Sequence, residues 1–348
     1  MYNVFLHRRC SMEALLFFQN IWYVLIGVLL IGYAILDGFD LGVGSLVPFL
    51  AKNDEDKRVL FNAVGPFWDG NEVWLLTGGG ALFAAFPHVY ATVFSGFYLA
   101  LMLVLFALIF RAIALEFRSY DEKRKKLWEW AFVIGSFLPS LLYGVALGNV
   151  VVGIPLNEQM EFTGNFFTLL RPFPLAVGLL GLAAILLQGS TYAAMKTNGA
   201  LQNNARNIAR TIGVVFIVLL ILCFILALIF MSGIAGNMLA YAAGLIVVAA
   251  WFLTRQALNK GKDGQAFFMS SVSFAGLWGI VGAIHYPNLV LASNDPALSL
   301  TLSNSSSTQL TLTVMLIIAL VGMPFVIGYT IYAYKLFKGK VVLGKSVT

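Results

Sequence analysis

The feature that most constrains this chain is a series of mostly apolar segments, each about as long as a membrane helix. An α-helix needs about 20 such residues to cross a bilayer, and these segments lack the polar–apolar alternation of barrel strands. We therefore predict an all-α integral membrane protein, with about nine transmembrane helices packed as helical bundles in one transmembrane domain, residues 1–348. The predicted segments are 20–50, 62–86, 88–117, 127–152, 172–195, 207–233, 237–258, 266–290 and 310–338.

Composition supports this class. Of the 348 residues, 60% are hydrophobic and 11% are charged, whereas roughly a quarter of the residues in a soluble domain are charged. The net charge of +6 does not indicate a nucleic-acid partner, because the basic residues are spread over short loops. Such a distribution is typical of membrane topology signals, so the expected surroundings are a lipid bilayer and no nucleic acid.

The loop charges also predict an orientation. Most of the 22 Lys and Arg residues fall after the first, third, fifth, seventh and ninth predicted helices. Because cytoplasmic loops carry the excess of Lys and Arg, the N-terminus is predicted outside and the C-terminus in the cytoplasm. The stretch "HRR" at residues 7–9 breaks this rule. A natural start at Met12 rather than Met1 would remove the exception.

Several charged residues lie inside the predicted helices. The stretch "GYAILDGFDLGVG", residues 32–44, carries Asp37 and Asp40 on the first helix. They lie about 22 and 27 Å past Trp22 along the axis, toward the predicted cytoplasmic side. Because Asp37 and Asp40 are three residues apart, they lie on the same face of the helix.

Two further helices carry charges at the same predicted depth. The stretch "FWDGNEVW", residues 67–74, places Asp69 and Glu72 near the cytoplasmic start of the second helix. Arg111 and Glu116 lie near the cytoplasmic end of the third. A charge at a helix centre costs about 3 kcal/mol on insertion scales, so such groups usually face the bundle interior and pair. One arginine cannot neutralise several buried acids, so some of the carboxyl groups are expected to be protonated. A series of such groups, open to the cytoplasm, is what a proton half-channel requires.

Two other interpretations of these acids stay open. The cluster is equally natural in a proton- or ion-coupled membrane transporter, which would work without a partner. It also fits a purely structural chain whose buried ion pairs only fix helix packing. Convincing inverted repeats, the usual mark of many transporter folds, are not visible.

The histidines argue against a haem site within this chain. There are three, namely His7 in the N-terminal tail and His88 and His285 at the predicted outer ends of helices. A haem in a helix bundle needs axial His or Met ligands from facing helices, and we see neither a helix-buried His pair nor a metal-binding motif. No metal site is predicted.

The stretches "LIGYAILDGFDLGVG", "AVGPFWDGNEVWLLTGGGALFAAFP", "VYATVFSGFYLALMLVLFALIFRAIALEFR" and "GSFLPSLLYGVALGN" resemble subunit II of the cytochrome bd-type ubiquinol or menaquinol oxidases. The resemblance covers nearly the whole chain and is most specific over residues 21–150. It implies a haem-free subunit that pairs with a haem-bearing subunit I in a bacterial or archaeal cytoplasmic membrane. Haem b and haem d are then expected in that partner, with quinol and oxygen as substrates of the complex. Some members hold a structural quinone in this subunit, and small single-helix subunits are further candidate partners.

The resemblance also implies roles for the charged residues. In this family the pair matching Trp68 and Asp69, with the arginine and acid matching Arg111 and Glu116, is associated with proton uptake from the cytoplasm. Asp40 matches an acid of the same region. Asp37 and Glu72 have looser support. The expected path of Glu116, Arg111, Asp69 and Trp68 would deliver protons into subunit I for the reduction of oxygen to water. Direct cofactor contacts in this chain are unknown, and no catalytic residue is predicted.

Overall fold

The computed structural model describes residues 2–231 and 234–342, with side chains from residue 12 onward except that of residue 235. The side chains of His7, Arg8 and Arg9 and the choice between Met1 and Met12 as the start lie outside this description. The predicted orientation in the membrane is untested and stays a prediction.

Helices dominate the described part of the chain. Eight of them are long and apolar enough to cross a membrane, which confirms the predicted all-helical membrane class. The helices are α1 Tyr2–Leu50, α2 Asp54–Val64, α3 Trp68–Ala85, α4 Pro87–Gly96, α5 Tyr98–Phe117, α6 Lys125–Val152, α7 Pro172–Lys196, α8 Gly199–Phe230, α9 Met238–Asn259, α10 Asp263–His285, α11 Leu302–Ser305 and α12 Gln309–Leu336.

Two predicted segments differ from the structure. Segment 62–86 contains the end of α2 and the 18-residue α3, which is not among the eight candidate spans. Its second half is apolar, but its first turns carry Asp69 and Glu72. Segment 88–117 is broken at Phe97 into α4 and α5. The side chain of Phe162, from a distant loop, packs against Gly96 at this break, where a Cβ would lie only 2.9 Å from the Cβ of Phe162.

The centre of the bundle is α7, which packs against α1, α6, α8 and α10. Its most apolar 18-residue window is 72% buried. Gly42 of α1 lies directly against Gly189 of α7, and a Cβ on either residue would overlap the backbone of the other. Small residues at such a crossing let two helix backbones approach closely. In contrast, the corresponding window of α12 is 6% buried, so this helix borders the bundle.

The connections gather at two ends of the bundle. At one end, which we call the basic end, the termini of α1, α5, α7, α8 and α10 meet. Asn204 donates to the carbonyl oxygen of Leu50 at 2.9 Å, and Arg206 forms two hydrogen bonds of 2.7 Å with Asp263. The sequence-based orientation makes this end cytoplasmic.

The opposite end, which we call the loop end, holds the two long connections, 153–171 and 286–308. They pair with each other. The backbone of Ile154 exchanges hydrogen bonds with Leu291 and Ser293, each at 2.9 Å. In the second connection, the strands β1 (Asn288–Val290) and β2 (Leu300–Thr301) form an antiparallel hairpin. Arg171 donates to the carbonyl oxygen of Gly153 at 2.6 Å, and its partial burial lowers the pKa of its guanidinium group.

Candidate functional site

A buried ion pair joins α1 to α5. Both terminal nitrogens of Arg111 donate to the carboxylate of Asp37, with 3.0 Å between Nη1 and Oδ2. Asp37 is fully buried and Arg111 is 1% exposed. Bidentate pairing of this kind is the geometry in which an arginine and a carboxylate bind most strongly. Asp37 and Arg111, both predicted site residues, therefore neutralise each other inside the bundle.

The close approach of α6 shields this pair. Gly135 of α6 faces Arg111, and a Cβ there would lie 2.9 Å from the Cβ of Arg111 and 2.8 Å from its backbone nitrogen. A residue larger than glycine would push α6 away from α5. Close helix contact excludes lipid and water, which strengthens the electrostatic attraction between the paired charges.

The second acid of α1 is held differently. Asp40 is fully buried, and its Oδ2 accepts a hydrogen bond of 2.7 Å from Nδ2 of Asn71 on α3. Among the described residues its Oδ1 has no hydrogen-bond partner. Asn71 in turn accepts a hydrogen bond of 3.1 Å from the hydroxyl of Tyr334 near the end of α12. Three helices thus converge on Asp40.

Two tyrosines extend the polar cluster toward the loop end. The hydroxyl of Tyr33, one turn before Asp37 on α1, donates to the hydroxyl of Tyr143 on α6 at 3.1 Å. Both tyrosines lie within electrostatic range of Asp37 and Arg111. Hydroxyl groups inside an apolar bundle usually need such partners, and these two supply one to each other.

The remaining predicted site residues lie nearer the surface of the chain. Asp69 and Glu116 are exposed, whereas Trp68 and Glu72 are partly buried. Glu72 lies within electrostatic range of Arg111, Asp37 and Asp69. Within residues 2–231 and 234–342, Arg111 forms its salt bridge with Asp37 and none with Asp69 or Glu116.

The structure therefore divides the seven predicted residues into two sets. The buried set is Asp37, Asp40 and Arg111. The surface set is Trp68, Asp69, Glu72 and Glu116. The predicted convergence of α1, α3 and α5 is present, but the continuous path of direct contacts from Glu116 through Arg111 to Asp69 is not seen among the described residues.

A second ionic network at the basic end was missed by sequence reasoning. Arg118, 4% exposed, donates to Asp54 at 2.7 Å and to Glu129 at 2.9 Å, and Lys57 also binds Glu129 at 2.7 Å. The network ties α2 and α6 to the end of α5. Its sequence signal was hidden, because charges in short connections are also what membrane topology requires.

The positions of the described histidines are relevant to metal and haem binding. His88 is exposed at the start of α4, and His285 is buried at the end of α10, so both lie toward the loop end. The described residues contain no group of three or more His, Cys, Asp or Glu side chains that could hold a metal ion. The side chains around Asp37 and Asp40 join helices α1, α3 and α5 through an ion pair and hydrogen bonds.

The fold and the buried charged cluster define a multi-pass helical membrane protein. Comparison with known proteins then gives its family. The family model described as "Cytochrome bd terminal oxidase subunit II" matches residues 18–337. The chain belongs to this family. The family assignment made from the sequence is thereby confirmed.

Individual relatives agree with the family model. The chain is 39% identical to the "Cytochrome bd-I ubiquinol oxidase subunit 2" of Escherichia coli (strain K12), over 92% of this chain and 94% of that protein. It is 36% identical to the "Cytochrome bd ubiquinol oxidase subunit 2" of Bacillus subtilis (strain 168), over 93% of this chain and 96% of that protein. These bacterial relatives and the eight candidate spans agree with a multi-pass protein of the cytoplasmic membrane.

A solved structure shares the fold. A chain in "The structure of bd oxidase from Geobacillus thermodenitrificans" superimposes with a TM-score of 0.78, covering 92% of this chain and 98% of that chain. The sequence identity of 17% in this comparison means that the similarity concerns the helix arrangement alone.

Proposed function

We propose that this chain is the haem-free subunit II of a cytochrome bd-type quinol oxidase, and that it stabilises subunit I and supplies a proton-uptake path from the cytoplasm. The observation that carries this proposal is the similarity over more than nine-tenths of the chain to two proteins named as subunit 2 of such oxidases. The buried charged cluster of Asp37, Asp40 and Arg111 supports the proton-uptake role.

The cofactors of the complex belong, in this proposal, to subunit I. Axial haem ligation needs His or Met side chains that face the same cavity, and neither exposed His88 nor isolated His285 is placed for it. Haem b and haem d in subunit I would transfer the electrons of quinol to oxygen. The residues of this chain would hold helices in place and move protons.

The chemistry fixes how many protons the path must carry. Reduction of one oxygen molecule to two waters takes four electrons and four protons. If quinol releases its protons outside and the consumed protons come from the cytoplasm, charge separates across the membrane without pumping. Each unit charge moved against a potential of 100 mV stores about 2.3 kcal/mol.

The surface set indicates where the protons would cross to subunit I. Exposed Asp69 and Glu116 lie in the first turn of α3 and the last turn of α5, where a carboxylate that faced lipid would be costly. A partner subunit that covers them removes this cost and receives the proton. Glu116 would take up a proton near the basic end, and the positive charge of Arg111 would set the electrostatic potential along the path. Asp69, beside Trp68, would pass the proton on to subunit I.

The test is the Asp69→Asn variant in the purified complex. We expect slower oxygen consumption and slower voltage generation in liposomes, with unchanged haem spectra and subunit ratio, because Asn cannot carry the proton but keeps the shape. Glu122→Gln is the matched control. Glu122 is an exposed acid at the basic end, 84% exposed at its side chain, and its variant should behave like the wild type.

Two results would contradict the proposal. If haem content falls in parallel with activity in Asp69→Asn, the residue has a structural role and the proton path is wrong. If the chain purifies stably without a second large subunit and transports ions by itself, the transporter alternative replaces the oxidase.

A further inference from the structure

The amide of Asn71 is locked by three partners from two other helices. Its Nδ2 donates to Oδ2 of Asp40 at 2.7 Å and to the carbonyl oxygen of Leu36 at 3.2 Å. Its Oδ1 accepts from the hydroxyl of Tyr334 at 3.1 Å. Asn71 itself is 2% exposed. Turning the amide over would point its oxygen at two other acceptor oxygens, so the observed orientation is strongly favoured.

This lock leaves the two oxygens of Asp40 unequal. Oδ2 is occupied by the amide, while Oδ1 is buried without a hydrogen-bond partner among the described residues. The nearby guanidinium of Arg111 is already engaged at both terminal nitrogens by Asp37. A buried charge without full compensation is costly, and protonation of Oδ1 would remove that charge.

From this geometry we infer that Asn71 and Tyr334 are positioning residues for proton loading at Asp40. They hold Oδ2 so that the proton is gained and lost at Oδ1. In the loading step a hydronium ion gives one proton to Oδ1, leaving water and a neutral carboxyl group, and the reverse step restores the carboxylate. This inference rests on the proposed proton-uptake function.

The chain from Tyr334 to Asp40 orients and does not conduct. A proton cannot pass through Asn71 without converting its amide to an unfavourable tautomer, so protons must reach Oδ1 from another side. The role of Tyr334 is to keep the amide oxygen turned away from Asp40. Its ring is held in turn by stacking on Phe67, with 4.4 Å between ring centroids.

The C-terminal end of α12 contributes to the positioning of Asn71 and Asp40. Most of α12 is exposed, but its last turns are tied to the bundle by Tyr334 and by Lys196, whose Nζ donates to the carbonyl oxygen of Phe337 at 2.8 Å. A shift of this helix end would break the hydrogen bond from Tyr334 to Asn71 and leave the amide held from α1 alone. The position of α12 therefore affects how firmly Asn71 holds Oδ2 of Asp40.

The experiment uses Tyr334→Phe and Asn71→Leu in the purified complex. Tyr334→Phe keeps the stacked ring and removes only the hydroxyl group. Tyr332→Phe is the matched control, because Tyr332 lies on the same helix and is 63% exposed. The readouts are the infrared carbonyl band of protonated Asp40, identified by its loss in Asp40→Asn, and the rate of oxygen-driven voltage generation.

We expect the Asp40 band to move to higher wavenumber in Asn71→Leu, because the carboxyl group loses its donor. In Tyr334→Phe the band should broaden, because the amide is no longer fixed. Voltage generation should slow on the order of tenfold in Asn71→Leu, because Asp40 loses its hydrogen bond from Asn71, worth about 1.4 kcal/mol. The effect should be smaller in Tyr334→Phe. Haem content should stay unchanged in both, and Tyr332→Phe should match the wild type in every readout.

The outcomes separate this inference from the proposed function. Wild-type voltage generation in Asp40→Asn, together with slow voltage generation in Asp69→Asn, would overturn this inference and leave the proposed path through Asp69 in place. A strong effect of Asp40→Asn, with a wild-type band and rate in both Tyr334→Phe and Asn71→Leu, would overturn the positioning role alone. If Asn71→Leu fails to assemble, Tyr334→Phe decides, because its single missing hydroxyl must still broaden the band.

Discussion

Asp37 and Asp69 are both aspartates in helices of a membrane protein, yet the structure gives them opposite surroundings. Asp37 is fully buried and bound to Arg111 through two hydrogen bonds, whereas Asp69 is exposed on α3. A buried charge with a partner fixes helix packing, and an exposed charge is available to another subunit. The comparison teaches that acids predicted at one depth can divide into a buried set and a surface set.

The largest expected effect is the loss of the buried pair. Asp37→Asn leaves the charge of Arg111 without compensation, and removing one partner of a buried pair typically costs 3–5 kcal/mol, so we expect about 4 kcal/mol. Thermal unfolding of the purified complex and the yield of assembled protein measure this. In the double variant Asp37→Leu with Arg111→Met, no charge remains and part of the stability should return. If Asp37→Asn is as stable as the wild type, the buried pair does not stabilise the bundle and the contrast between Asp37 and Asp69 is wrong.

The network at the basic end should give a smaller effect. Glu129→Gln removes one charged partner from Arg118 and Lys57, but Asp54 still binds Arg118. We expect a loss of about 1.5 kcal/mol, the lower end for a hydrogen bond to a charged group. Unfolding of the complex in denaturant measures it. Glu122→Gln, at the exposed pair with Lys125, should cost almost nothing, and an equal loss in both variants would contradict burial as the cause.

Uncharged polar contacts in the bundle should rank next. Gln188 of α7, fully buried, donates to Ser271 of α10 at 2.8 Å and to the carbonyl oxygen of Ile35 at 3.4 Å. Interhelical hydrogen bonds in membranes average about 0.6 kcal/mol, with a maximum near 1.7. Gln188→Leu should therefore lower stability by about 1 kcal/mol in the same unfolding measurement. A cost as large as that of Asp37→Asn would show that charge is not what distinguishes the buried pair.

The smallest effect on stability is expected at Glu116. Its side chain is exposed, and substitutions at such positions usually change stability by less than about 0.5 kcal/mol. Glu116→Gln should therefore leave the stability unchanged while it slows voltage generation in liposomes, as proposed for the surface set. Normal voltage generation together with lower stability would give Glu116 a structural role and contradict the division into a buried set and a surface set.

Much of the fold follows from local sequence. α8 and α12 were predicted because long apolar runs that must satisfy their own backbone hydrogen bonds in a bilayer can only be helical. The break at Phe97 was not predicted. Phe162, which is far away in the sequence, packs against Gly96 at this break, and that contact cannot be predicted from segment 88–117 alone.

The site was predictable only in part. Asp37, Asp40 and Arg111 were found because charges in apolar helices are costly and therefore conspicuous. Asn71 and Tyr334 were missed, since one amide has no spacing signal and a tyrosine near a helix end is also typical of a membrane interface. Arg118 was missed because it was taken for a loop charge, although it is buried.

The sequence by itself determined the membrane class, most of the helices and the presence of charges on α1, α3 and α5, because each of these depends on residues close together in the chain. Only the tertiary structure decided which acid is paired and which is exposed. That choice depends on which helix faces meet, and small residues such as Gly135 and Gly42 set how closely they meet. A carboxylate that meets an arginine inside the bundle loses its solvent and gains a partner, and one that faces outward keeps its charge for another subunit.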